Sequence, residues 1–211
     1  MKSRRVIIDP PELRKPAMRV SRIVYGREGD GRRVRYLLDS KGKGTRKEIP
    51  ENIVLIRWRQ RVWKDYRFSG GRLGPNIWNG LAIAFGREPS LDWLSWTVEE
   101  IQQRLDVSRT QMGVFKSSVP AANVIVGLIR ICGVARLKCI MARHLASDRG
   151  PARGTPDLFL FAIDHTGKPT MGRFVEVKKP EEPASDDQKA EISFLNEIGL
   201  HARIVRLIER H

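Results

Sequence analysis

The sequence predicts an α/β protein: a mixed sheet flanked by helices, preceded by a small basic β module and a helical bridge. Three observations carry that reading. Between Gly154 and Lys179 two apolar runs of strand length enclose a polar loop holding Asp164, His165, Gly167 and Pro169, the pattern of a hairpin. Around it stand helix and strand signatures, so the second half reads helix, strand, hairpin, helix, strand, an α/β layer plan. Before residue 69, β-branched and aromatic runs alternate with glycine-rich turns, the rhythm of short antiparallel strands.

Residues 1–16 carry Pro10, Pro11 and Pro16 and read as an extended basic arm. The runs Met18 to Tyr25, Arg33 to Leu38 and Asn52 to Trp58 read as strands. In the middle run Val34, Tyr36 and Leu38 alternate with Arg33 and Arg35, giving a half-buried strand with a cationic outer face. This β module, residues 1–68, is the expected nucleic-acid platform, with Arg33 and Arg35 facing the ligand; a solvated sheet is the alternative. Trp58, Trp63, Tyr66 and Phe68 alternate with Arg57, Arg59, Arg61, Lys64 and Arg67, a mixture that either anchors a packed face or stacks on bases. Gly70-Gly71 and Gly74-Pro75 read as a hinge.

Residues 69–116 form the expected bridge. A helix is predicted from Asn76 to Phe85. Thr97-x-x-Glu100 is a capping box, in which hydroxyl and carboxylate each satisfy an orphan amide, followed by the apolar stripe Val98, Ile101 and Leu105. With Ser108 as a second cap, this segment has the outline of a helix-turn-helix. Residues 117–211 are the expected core. From Pro120 the chain is apolar all round and predicts a buried helix stopped at Gly133. Ala135 to Met141 alternates and reads as a strand, with a helix through His144 as the alternative. Ser185-x-x-Gln188 starts a helix reaching Glu197, with Gly199 as its stop, and Ala202 to Ile208 is the last strand.

Bulk composition narrows the function. The net charge is +15, and residues 1–68 hold 20 Lys and Arg against 8 Asp and Glu, a net of +12. Such an excess calls for a polyanion, because cationic side chains release counterions on meeting phosphates. No apolar run of membrane-spanning length occurs, and the basic N-terminus lacks a following apolar segment, so neither a membrane partner nor a signal peptide is expected. The two cysteines, Cys132 and Cys139, lack metal-site spacing and read as free thiols; the expected compartment is the cytoplasm.

The charged residues of the hairpin carry the chemistry. Asp157 opens its first strand, and Glu176 and Lys178 sit two apart on its second, so they share a face while Val175 and Val177 point the other way. Burying such charges is costly without a task. Converging carboxylates can hold a hard cation such as magnesium, and a lysine beside them can orient a water or offset phosphate charge.

Pro156-Asp157 followed by Glu176-Val177-Lys178 resembles the PD-(D/E)XK nuclease superfamily. Lys179-Pro180, Ser185 and Gln188, leading to Gly199, resemble its VRR-NUC branch. Arg143-His144-Leu145-Ala146 and Arg153-Gly154 further resemble the Fanconi-associated nuclease group within that branch. The resemblance covers roughly residues 117 to 211 and implies a restriction-endonuclease-like core. It implies Mg2+ or Mn2+ held by Asp157, Glu176 and the Val177 carbonyl, with Lys178 and Gln188 completing the catalytic set. It implies DNA contacts at His144, Arg153, Lys179 and Lys189, though Gln188 also fits a simple cap and His144 a structural hydrogen bond. The expected function is metal-dependent hydrolysis of DNA phosphodiester bonds on junctions or flaps, in repair, recombination or phage replication, with a homodimer among the implied partners. A degenerate nuclease fold that only binds DNA, and a helix-turn-helix regulator, are the alternatives. One departure stands out. The superfamily usually supplies a further carboxylate from an early helix, yet the predicted helix from Ser117 to Cys132 contains no Asp or Glu, and neither does Gly74 to Trp78. Glu99 and Glu100 are the nearest earlier acids.

Overall fold

A computed structural model describes residues 23–27, 33–38, 44–47, 49–145, 154–179 and 182–207, with side chains from residue 49 onward. The expected arm at residues 1–16 and the loop bearing Arg153 lie outside the described residues, as do the side chains of Arg33 and Arg35.

The first three strands, β1 (Ile23–Arg27), β2 (Arg33–Leu38) and β3 (Gly44–Lys47), form an antiparallel meander. Two of the expected strands are thus present. The third expected strand is not: residues 50–59 form helix α1 (Pro50–Arg59) instead. Pro50 occupies its first turn, where its missing N–H costs nothing. Ile53, Val54, Leu55 and Trp58 are all buried. Burying each is worth about 1.5–3 kcal/mol, which outweighs the strand preference of β-branched residues, about 1 kcal/mol across the whole scale.

Strand β4 (Arg67–Arg72) follows and pairs antiparallel with β5 (Leu158–Ile163). The expected hinge at Gly70-Gly71 is therefore interior strand, and the expected division between residues 68 and 69 falls inside it. Glycine is needed there for closeness rather than flexibility: a Cβ at Gly71 would meet Val124 Cγ2 at 2.9 Å. Beyond β4 come α2 (Ile77–Phe85), α3 (Val98–Val107) and a four-residue turn of helix, α4 (Arg109–Met112). The capping box of α3 forms as expected, with Thr97 N–H donating to Glu100 Oε2 at 2.7 Å and Glu100 N–H to Thr97 Oγ1 at 3.2 Å. Ser108 makes no side-chain cap, and α4 passes straight into a 3-10 turn at Gly113–Ser118. A four-residue helix rises only about 6 Å, too little for a recognition helix in the major groove, so the helix-turn-helix outline is not realised.

Helix α5 (Ala122–Leu145) is the longest element. Gly133, at φ 69 and ψ 163, is not helical, so the buried first stretch stops there as expected and a second helical stretch carries on to Leu145. The alternation from Ala135 to Met141 is thus not a strand. Leu137, Ile140 and Met141 are buried and Cys139 is exposed, a helical spacing that the apolar Cys139 disguised. The strand expected there is supplied by β4.

The sheet runs β4-β5-β6-β7, with β6 spanning Pro169–Lys178 and β7 Ala202–Arg206. β5 and β6 form the expected hairpin, and β6 and β7 are parallel through α6 (Asp186–Glu197). Both faces are covered. Phe159, Phe161 and Phe174 pack with α5 in one cluster. Leu158, Leu160, Val175 and Val177 pack with α1 in the other. This two-sided burial explains why β5 reads as a continuous apolar run.

Candidate active site

The hairpin register brings the acids together. Leu158 pairs with Val175, so one step further Asp157 stands opposite Glu176, and cross-strand neighbours share a face. By alternation both lie on the α5 side, in line with Phe159, Phe161 and Phe174. Val177 faces α1. Asp157 Oδ2 accepts the Val177 N–H at 2.8 Å, which ties the carboxylate to β6.

Glu176 is only 2% exposed. Its Oε1 receives Lys178 Nζ at 2.9 Å and also the Nε2 of Gln188. Lys178 is buried as well, and its Nζ lies 3.6 Å from Glu182 Oε1. Gln188 is both cap and site residue. Its Oε1 accepts the Ser185 N–H at 2.9 Å and its own N–H donates to Ser185 Oγ at 3.2 Å. With Oε1 committed to the helix cap, Nε2 is the end of the amide left for Glu176.

These contacts set the electrostatics. Burial, then the charge of Asp157, pushes the Glu176 carboxyl up to about 7 against the pull of Lys178. Burial also raises Asp157, and the nearby charge of Glu51 adds to this, while the Val177 amide, Lys178 and Arg72 oppose it. For Lys178, burial pulls the ammonium's pKa down. The hydrogen bond and charge of Glu176, with the charges of Glu182 and Asp157, outweigh that and hold it above its ordinary value. Lys178 is therefore a cation at neutral pH, not a free base.

Two crowded, desolvated carboxylates fit a hard divalent cation, which supplies the positive charge their proximity lacks. Among the described residues no group of three or more His, Cys, Asp or Glu is arranged to hold a metal. Asp157 and Glu176 are the two carboxylates that the hairpin brings together there.

The other expected contacts scatter. His144 ends α5 with its side chain only 5% exposed, its Nε2 2.9 Å from Glu191 Oε1 and its ring stacked on Trp78 at 5.7 Å. Arg143 Nε holds the other oxygen of Glu191 at 2.9 Å. His144 is thus a buried link between α5 and α6 and does not face a phosphate. Lys179 is exposed beside Lys178. Lys189 pairs with Asp186 at 3.0 Å on the open face of α6.

Three residues near the site escaped sequence reasoning. Glu51, in the first turn of α1, is close enough for its charge to raise Asp157. Pro50-Glu51 before an apolar stretch is a helix-start signal, hidden because the β-branched residues of that stretch imitate a strand. Arg72 ends β4 and lowers Asp157. Glu182 reaches Lys178 across a turn. Glu99 and Glu100 belong to α3, where Glu100 closes the capping box.

A family model described as the VRR-NUC domain matches residues 101–206, starting earlier than the expected boundary at 117. No curated protein matches the chain. The fold is similar to the crystal structure of paFAN1 bound to 1nt 5′ flap DNA with gap. That likeness has a TM-score of 0.51 and 14% identity, and covers 79% of this chain and 36% of that one. The structure of paFAN1 bound to 2nt 5′ flap DNA with gap is at TM-score 0.43 and 18% identity, covering 68% of this chain and 33% of that one. The chain thus spans about a third of the paFAN1 length, and at 14% identity the first of these likenesses is one of fold.

Proposed function

The chain belongs to the VRR-NUC domain family, and we propose that it is a metal-dependent DNA nuclease acting on flaps or junctions. The observation that carries the reading is the meeting of Asp157 and Glu176 across the hairpin, with Lys178 and Gln188 on the same Glu176 oxygen. The flap DNA of the paFAN1 structures suggests the substrate class, and the net charge of +15 suits a polyanion.

Asp157, Glu176 and the Val177 carbonyl would hold Mg2+ or Mn2+, with Glu51 at the flank. When bound, such an ion supplies a nucleophilic water at neutral pH and offsets phosphate charge. The chain's own groups do the placing. The Val177 amide fixes Asp157. Gln188 orients the Glu176 carboxylate from the rigid start of α6. Lys178 brings a fixed positive charge to the reacting phosphate, where preorganised charge lowers the barrier. Arg72 and Lys179 border the site and suit the DNA backbone; Lys189 lies further along α6.

The test is cleavage of linear, flapped and four-way DNA with magnesium, manganese or chelator, comparing wild type with Glu176→Ala and Lys178→Ala. Cutting that needs metal and is lost in both variants supports the reading. Tight binding without cutting in any divalent metal would instead mark a DNA-binding protein on a degenerate nuclease fold.

A further inference from the structure

We propose that Glu182 is a positioning residue for Lys178, tethering its ammonium beside the reacting phosphate when Glu176 turns to a divalent cation. The inference rests on the nuclease reading above.

The geometry gives Lys178 Nζ two carboxylates, Glu176 Oε1 at 2.9 Å and Glu182 Oε1 at 3.6 Å. The nearer one is already crowded, since Gln188 Nε2 meets the same oxygen. An oxygen that serves a cation must loosen its hold on a competing ammonium. Glu182 is then the carboxylate that keeps the flexible lysine in place.

Its mounting suits that task. Glu182 Oε2 accepts the Lys179 N–H at 3.2 Å, which aims Oε1 back at Lys178. Arg206 on β7 grips the turn from below: its Nη1 donates to the carbonyls of Glu182 at 2.9 Å and Lys179 at 3.1 Å. The Leu207 N–H donates to the Lys178 carbonyl at 2.8 Å. A carboxylate that merely capped a surface turn would need no such anchoring.

The two roles differ in sign. Removing an ordinary surface carboxylate beside a DNA site tightens DNA binding and leaves the chemical step alone. Removing a tether slows the chemical step. The experiment uses the full chain and flap DNA. It measures the single-turnover cleavage rate in magnesium, DNA affinity by anisotropy in calcium, and magnesium affinity by calorimetry without DNA. In Glu182→Ala the rate falls on the order of 10-fold, as for other residues that orient an active-site group. DNA affinity holds or rises. Magnesium binds more weakly, because the untethered ammonium falls back on Glu176. Glu182→Gln, whose single amide oxygen can keep one of the two contacts, recovers part of the rate. An unchanged rate in Glu182→Ala beside a cutting wild type overturns the tether and leaves the nuclease reading intact. A rate loss matched by equal loss of DNA affinity, unrescued by glutamine, also overturns it. A wild type that cuts nothing overturns both.

Discussion

Lowering the pH from 8 to 6 should weaken magnesium binding by protonating Glu176. With its carboxyl at about 7, a one-site titration leaves it ionised to about 0.9 at pH 8, about 0.5 at pH 7 and about 0.1 at pH 6. A cation needs the ionised form, so affinity falls roughly tenfold across that range, and each ion bound releases about 0.1, 0.5 and 0.9 protons respectively. Lys178, held above its ordinary value, stays charged throughout and adds nothing to the count. Isothermal titration in two buffers of different ionisation heat reads the released protons directly. The metal-free protein responds with the opposite sign. A carboxyl raised from 4.5 to about 7 stabilises the fold fully below its unfolded value. That contribution is lost as pH rises to about 7 and stays lost above it. Glu176→Gln should therefore raise the melting temperature of the metal-free protein at pH 8 while removing the metal's stabilisation. Proton release below about 0.1 at every pH from 6 to 8 would refute the reasoning.

Gln188→Glu keeps an oxygen for the Ser185 amide but sets a second carboxylate against Glu176. Cleavage should fall about 10- to 100-fold with the Ser185 cap kept; unchanged cleavage would mean that Gln188 acts only as a cap. Glu191→Ala strips the partner from His144 and Arg143 and should cost about 1–3 kcal/mol in urea unfolding, whereas a loss under about 0.5 kcal/mol, the size of an ordinary surface change, would contradict the buried link. Glu51→Ala should weaken magnesium about tenfold at little cost in stability, and equal affinity would remove Glu51 from the site.

The hairpin was legible because its signals are local. Glu176 and Lys178 sit on a strand whose period alone fixes their shared face, Asp157 opens the facing strand, and Ser185 with Gln188 announces its own helix start. What the sequence concealed depended on distant partners. Gly70 and Gly71 signal a turn until Val124 and Phe159 are seen pressing on them from α5 and β5. The residues from Asn52 to Trp58 have strand character one by one, and only the sheet waiting to bury Ile53, Val54 and Trp58 makes them a helix. The same disguise hides Glu51, since an acid at the head of a helix that looks like a strand carries no positional meaning. Cys139 broke the helical pattern of α5 because an exposed apolar residue imitates alternation. His144 matched a motif, yet its fate was decided by Glu191 in α6.

The most direct test is a crystal of the protein soaked in manganese and measured at the manganese edge. One anomalous peak should appear between the carboxylates of Asp157 and Glu176, at about 2.0–2.2 Å from their oxygens as for similar small divalent ions, and no peak in Glu176→Gln. A peak elsewhere, or none in wild type at saturating manganese, would contradict that placement.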